Sequence, residues 1–278
     1  MLHETPVSTS GFSALRVASR AARSAGLLLA QRFGGAREIA YKGRGNLVTD
    51  ADRAAEACIL EMVTREYPEH NLLTEESSPT ERGSEYTWVI DPLDGTSNYA
   101  FGFPAFAVSV ALVRDGAPIV GAIYEPLRDE LWLAERGQGA TLNGKTLSIV
   151  ARDGESKDDL SRAVVGFDMG YQAASRERAL QVALAMVGDV QSYRLIGSAV
   201  LGIAYVASGR LDLYCHYWLY AWDLAAAWLV AEEAGARVMD WQGSSISLAS
   251  RGLICGRPYL AEHFRQMVEQ KAAEIVSP

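Results

Sequence analysis

A mixed α/β fold is what the sequence predicts, and three features of the chain predict it. The first half carries short apolar runs separated by turn signals, the pattern of an antiparallel meander. The second half alternates strand-like and helix-like runs, as in an α/β layer arrangement. Between them lies the most polar stretch, residues 151–161, with Asp153, Glu155, Lys157, Asp158 and Asp159. It predicts a boundary between an N-terminal α+β lobe, residues 1–150, and a C-terminal α/β lobe, residues 151–278. At 278 residues and 49% hydrophobic content, the chain suits one large domain or two lobes sharing a core.

In order, Phe12, Leu15, Val17, Ala21 and Leu27 to Leu29 recur at helical spacing over residues 10–33, and Gly34-Gly35 supplies the stop. Residues 39–42 read as a strand before the polar loop Gly43-Arg44-Gly45-Asn46. Thr49 or Asp50 is a natural cap for a helix running to about Glu66. Residues 71–74 form a strand ending at Glu75-Glu76. Trp88-Val89-Ile90 forms another, ending at Asp91 because Pro92 has no N–H to continue a ladder. Strands at 106–113 and 118–124 flank the hairpin turn Arg114-Asp115-Gly116. A strand at 131–134 follows, then turn signals at 137–140 and 143–145. Past the polar stretch, strands are expected at 163–167, 192–195, 211–215, 237–239 and 253–255. Helices are expected at 176–187, 198–207, 223–234 and from about Tyr259.

The formal charge of −8 comes without long runs of one sign, which disfavours a nucleic-acid footprint and makes a cytoplasmic protein the expectation. Cys58, Cys215 and Cys255 are odd in number and widely spaced, against a disulfide framework or thiolate metal site. Residues 1–6 lack a basic start followed by an apolar stretch, and no uncharged apolar run approaches ~20 residues, so neither secretion nor membrane spanning is expected.

The most informative stretch is Asp91-Pro92-Leu93-Asp94-Gly95-Thr96-Ser97-Asn98-Tyr99. Two carboxylates three residues apart, with Gly95 freeing the backbone to turn, can point into one space, and two hard oxygen donors suit Mg²⁺. An ordinary solvated turn would explain Pro-x-Asp-Gly alone, but the whole string occurs by chance in roughly one chain of this length in a hundred thousand. Capping alone would explain Thr49, Asp50 and Asp52, and surface charge would explain Glu75 and Glu76. Gly197-Ser198-Ala199 opens a helix whose free N–H groups could meet a phosphate or a hydroxyl; close packing explains the small residues equally well.

The string resembles the first signature of the inositol monophosphatase family, Asp-Pro-(Leu/Ile)-Asp-Gly-Thr-x-Asn-(Phe/Tyr), at every position. Val48-Thr49-Asp50-Ala51-Asp52 is similar to the family's Val-Thr-x-x-Asp, and Trp222-Asp223-Leu224-Ala225-Ala226 to its Trp-Asp-x-Ala-(Ala/Gly). The resemblance covers about residues 10 to 265. It implies a five-layer αβαβα sandwich, a usual homodimer, lithium sensitivity and Mg²⁺-dependent hydrolysis of a phosphate monoester, inositol monophosphate or a related polyol or sugar phosphate. By the same resemblance, one Mg²⁺ is held by Glu75, Asp91 and the Leu93 carbonyl, a second by Asp91, Asp94 and Asp223, and a third, weaker one leans on Glu75, with Glu76 behind. Asp52 and Thr96 orient and deprotonate the attacking water, Gly95 and Thr96 N–H groups hold phosphate oxygens, and Gly197, Ser198, Ala199 and His216 face the substrate. The chain departs from the family at Thr74, where Gly is usual, and at His216, where many members carry Glu. A neutral imidazole offers one donor and one acceptor, against a carboxylate's acceptors alone. Histidinol phosphate, or a nucleotide of the 3′-phosphoadenosine 5′-phosphate type, remains open as substrate, and so does a non-catalytic regulator binding protein or RNA.

Overall fold

The computed structural model describes residues 5–35, 39–43, 46–149 and 159–276; the tip of the glycine-rich loop at 44–45 and most of the polar stretch lie outside them. Helix α1 (Ala14–Arg32) begins at Ser13, whose side chain accepts from the Arg16 N–H. Five of its eight buried residues are alanine and a sixth is Gly26, where a Cβ would stand 2.4 Å from the Tyr124 ring. Small residues let the helix lie close on its sheet, and Val17 and Leu29, both buried, each contribute about 1.5–3 kcal/mol. Strands β1 (Ile39–Gly43) and β2 (Asn46–Thr49) form a hairpin leading into α2 (Asp50–Glu66). Thr49 caps α2 in a capping box with Asp52.

Next come β3 (Asn71–Thr74), β4 (Tyr86–Asp94), α3 (Thr96–Phe101), β5 (Ala107–Arg114), β6 (Ala117–Glu125), β7 (Glu130–Glu135), β8 (Gly139–Leu142) and β9 (Lys145–Thr146). They form a seven-stranded sheet in chain order, parallel between β3 and β4 and antiparallel elsewhere. Two expectations are corrected here. Residues 139–142, in part expected as turn, form β8, and Asn143-Gly144, both at positive φ, make the tight turn to β9. Strand β4 does not end at Asp91: it skips one residue at Pro92-Leu93 and resumes, with Asp91 opposite Ser109 and Asp94 opposite Ala107. In a regular strand, residues three apart point to opposite faces; this bulge puts Asp91 and Asp94 on the same one.

The remainder is β10 (Val164–Asp168), α4 (Ala173–Ala185), β11 (Ser192–Arg194), α5 (Ala199–Ala207), β12 (Leu213–His216), α6 (Ala221–Glu233), β13 (Arg237–Met239), β14 (Leu253–Gly256) and α7 (Pro258–Val276). The second sheet runs β11-β10-β12-β14-β13, with β10 parallel to β11 and β12, and β14 antiparallel to both its neighbours. Three apolar clusters set the layers. One joins α1 and α2 to the first sheet, one packs α5 and α6 between the sheets, and one joins α4 and α7 to the second sheet. The fold is the five-layer αβαβα sandwich. The three cysteines are free thiols, Cys215 and Cys255 buried, and among the described residues no helix is long and apolar enough to cross a membrane.

Candidate active site

Carboxylate oxygens of Asp91, Asp94 and Asp223 lie within 4.8 Å of one another. Asp91 stands before the bulge, 1% exposed, and its Oδ1 accepts the Leu93 N–H at 3.0 Å. Asp94 follows the bulge and caps α5: its carboxylate accepts from Ser198 Oγ, from the Ala199 N–H at 3.3 Å and from the Val200 N–H at 2.9 Å. Asp223 was expected to head its helix. Because α6 starts at Ala221, Asp223 is its third residue, and Oδ2 accepts the Tyr220 N–H at 2.6 Å.

Burial is the main reason that Asp91 and Asp223 bind protons well above the ordinary carboxylate range; at Asp91 the charges of Glu75, Asp94 and Asp223 add to it. Asp94 is pushed up to about 6 by burial, opposed by its bonds from Ser198 and Val200. Three carboxylates so close, Asp91 and Asp94 buried and Asp223 half-buried, are mutually repulsive, and a hard divalent cation is what their oxygens fit. Glu75 lines the same cavity, half-buried, outside the tight trio; its N–H donates to the Ile90 carbonyl at 3.3 Å, which extends β3 alongside β4. Behind it, the Glu76 N–H donates to Glu56 Oε2 at 3.0 Å, and Ser77 Oγ bonds the other Glu56 oxygen. Glu56 is a residue of this site not anticipated from the sequence. Its signal was the four-residue spacing from Asp52, which puts both acids on one face of α2.

Thr96 Oγ1 lies 3.1 Å from Asp52 Oδ1 and 3.0 Å from the Leu93 carbonyl oxygen, so its single proton is shared between two acceptors. Asp52 Oδ2 accepts the Thr49 N–H at 2.7 Å and Thr49 Oγ1 at 2.6 Å. One oxygen therefore caps α2 while the other faces Thr96. Burial raises the proton affinity of Asp52, against the bonds from Thr49 and Thr96.

Gly95 has φ +93°, and a Cβ there would stand 3.0 Å from the Ala105 carbonyl oxygen. Gly197, at φ +74°, leaves no room either: a Cβ would come within 2.7 Å of the Asn98 side chain, which holds the Ala105 and Ile196 carbonyls at 2.7 and 2.8 Å. The N–H groups expected to be free at the start of α5 are engaged. Ala199 donates to Asp94 and Gly197 to Asp168 Oδ1 at 2.7 Å. His216 is buried, its Nδ1 accepts the Trp218 N–H at 3.0 Å, and burial holds its pKa down to about 3. The ring is neutral with its proton on Nε2.

Glu75, Asp91, Asp94, Thr96, His216 and Asp223 line one cavity of about 670 Å³, with Asp52 behind Thr96 and outside the lining; Tyr171, Arg176, Trp218 and Asp168, not anticipated from the sequence, line it too. Asp168 faces His216 across the β10–β12 register and accepts from Ile196 N at 3.1 Å and Tyr214 OH at 2.9 Å.

Two buried carboxylates and a half-buried third, close together between the two sheets and beside a hydroxyl paired with a buried acid, have the donor chemistry of a metal-binding site. The chain belongs to the inositol monophosphatase family, whose model matches residues 13–273. Membership supports phosphatase activity on small phosphate substrates, and metal binding. Nus factor SuhB of Pasteurella multocida is 36% identical over 260 residues, covering 92% of this chain and 95% of its own. Inositol monophosphatase of Dictyostelium discoideum is 35% identical over 243 residues, 84% of this chain and 87% of its own. The crystal structure of extragenic suppressor protein suhB from Bartonella henselae matches with a TM-score of 0.87 at 32% identity, covering 92% of this chain and 98% of that one.

Proposed function

We propose that this protein hydrolyses a small phosphate monoester, a polyol or sugar phosphate with inositol monophosphate as the reference substrate, using two to three Mg²⁺ ions. The observation that carries the reading is the trio Asp91, Asp94 and Asp223 within 4.8 Å. Asp91, Asp94, Asp223, Glu75 and the Leu93 carbonyl would hold the ions. When bound, they compensate charge on the transferring phosphoryl group and on the leaving oxygen, and activate water. Thr96 donates to Asp52, so its oxygen is left to accept from the attacking water. A proton taken there passes to Asp52, whose burial suits it to hold one. Gly95 and Thr96 N–H groups, at the start of α3, are assigned to the phosphate oxygens.

Several further assignments belong to the same reading. Lithium competes for the site, and the protein works in the cytoplasm. Division at residue 150 is supported by the two larger sheets, which draw on residues 71–146 and 164–256. A homodimer is supported by exposed Leu180, Leu184 and Val187 along and just past α4. The name Nus factor borne by the Pasteurella relative favours a second role beside catalysis. The test is Mg²⁺-dependent phosphate release from inositol 1-phosphate, histidinol phosphate, fructose 1,6-bisphosphate and 3′-phosphoadenosine 5′-phosphate. No release from any of them overturns the reading.

A further inference from the structure

The cavity wall is divided by hydrogen-bonding character. Five carboxylates line it, and among the described residues Arg176 is the one arginine or lysine that does. Arg176 lies in the first turn of α4; its Nε donates to the Gly170 carbonyl at 2.9 Å, which fixes the guanidinium, and it forms no ion pair among the described residues. Gly170 is also the neighbour of His216: a Cβ at 170 would stand 3.3 Å from His216 Cε1 and 3.3 Å from Trp218 Cβ. Arg176 is thus anchored to the same wall that carries the imidazole.

What that wall offers is donors. His216 spends its acceptor, Nδ1, on the Trp218 N–H and keeps the Nε2 proton. Asp168 is the acid on this side, and it already receives Ile196 N, Gly197 N and the Tyr214 hydroxyl. A neutral polyol presents hydroxyls that each give and take a hydrogen bond, so a wall of donors leaves their protons unmatched. A carboxylate or phosphate only accepts, and a guanidinium fork is its natural partner.

We propose that the substrate carries a second anionic group, a carboxylate or a second phosphate, held by Arg176 with the His216 Nε2–H while the ester phosphate sits at the acid trio. The assignment rests on the phosphatase reading. It makes Arg176 and His216 specificity-determining residues.

Two matched pairs test it: glycerol 1-phosphate against 3-phosphoglycerate, and fructose 1-phosphate against fructose 1,6-bisphosphate. Two readouts apply, kcat/KM for phosphate release and the dissociation constant from quenching of tryptophan fluorescence, since Trp218 and Trp222 line the cavity. The wild type is expected to favour the doubly anionic member of at least one pair. Arg176→Gln should lower that preference by roughly ten- to a hundredfold, the range for a charge-assisted hydrogen bond, and Arg176→Lys should keep part of it. The pair with the larger ratio names the second anion. A wild type that prefers the member lacking the second anionic group in both pairs, or a preference untouched by Arg176→Gln, overturns the proposal. Binding preference that depends on Arg176 without phosphate release sustains the anion site and defeats the phosphatase reading; loss of both defeats both.

Discussion

Asp94, on the first sheet, caps helix α5 of the middle layer: it takes the Val200 N–H at 2.9 Å and the Ser198 hydroxyl while its oxygens also face Asp91 and Asp223. A helix N-terminus is the favourable place for a negative charge, so α5 helps keep a buried carboxylate ionised. Ser198→Ala removes one of these bonds and the N-cap that Ser198 gives Leu201. The expected loss is about 1 kcal/mol of stability, read by urea unfolding. A variant as stable as the wild type would show that the Ser198 hydroxyl does not support Asp94.

Asp94→Asn keeps the side-chain volume and removes one of three crowded charges. Mg²⁺ is expected to raise the Tm of the wild type and chelation to lower it, because binding favours the folded state. In the variant, the Mg²⁺-dependent rise should shrink and turnover should be lost. An undiminished Mg²⁺ response in Asp94→Asn would remove Asp94 from the cation site.

Thr96→Ala deletes the hydroxyl that lies 3.1 Å from Asp52, and Thr96→Ser keeps it. Turnover should fall by roughly 10²–10⁴ in the first and recover largely in the second. Equal rates in both variants would leave the hydroxyl without a part in the reaction.

Gly121 sets the distance between β6 and α6: a Cβ would stand 3.0 Å from the Ala226 carbonyl oxygen and 3.1 Å from its Cα, both main chain. Since α6 carries Asp223, Gly121→Ala should cost about 1–3 kcal/mol and weaken Mg²⁺ binding together. Calorimetric Mg²⁺ titration at unchanged affinity would mean that α6 relaxes without moving Asp223.

Glu125 is buried at the end of β6; Oε1 accepts from Tyr205 OH at 2.9 Å, while Oε2 has no hydrogen bond. Burial pushes its pKa up to about 7. A carboxyl that binds its proton more tightly when folded stabilises fully below its unfolded pKa, and that stability is lost as pH rises through 7. Glu125→Gln should therefore gain on the wild type between pH 5 and 8, by about 1–3 kcal/mol. A stability difference that does not change over this range would refute the assignment.

Much of this was legible where local chemistry decides. Thr49 and Asp52 announce the α2 cap, and the string from Asp91 to Tyr99 announces the site, because both depend on residues close in sequence. Strands β8 and β9 were not, since four and two residues at a sheet edge carry too little periodicity to outweigh Gly139 in the first and Gly144 before the second. Nor was the placing of Arg176 and Asp168, which depends on how β10 and α4 lie against β12, a matter of tertiary packing. Asp223, which lies beside Asp91 and Asp94, is the third residue of its helix where the sequence predicts the first, because nothing local marks Tyr220 as the cap.

The bulge in β4 has a consequence of parity. Remove one residue between Asp91 and Asp94 and the strand would pair without interruption, with both acids still on one side, since an interval of two preserves the face. What such a shortened strand would lose is the main-chain oxygen of Leu93, which has no ladder partner now and so is available to Thr96. The extra residue is thus a local irregularity kept for one carbonyl, and a chain selected for sheet order alone would discard it.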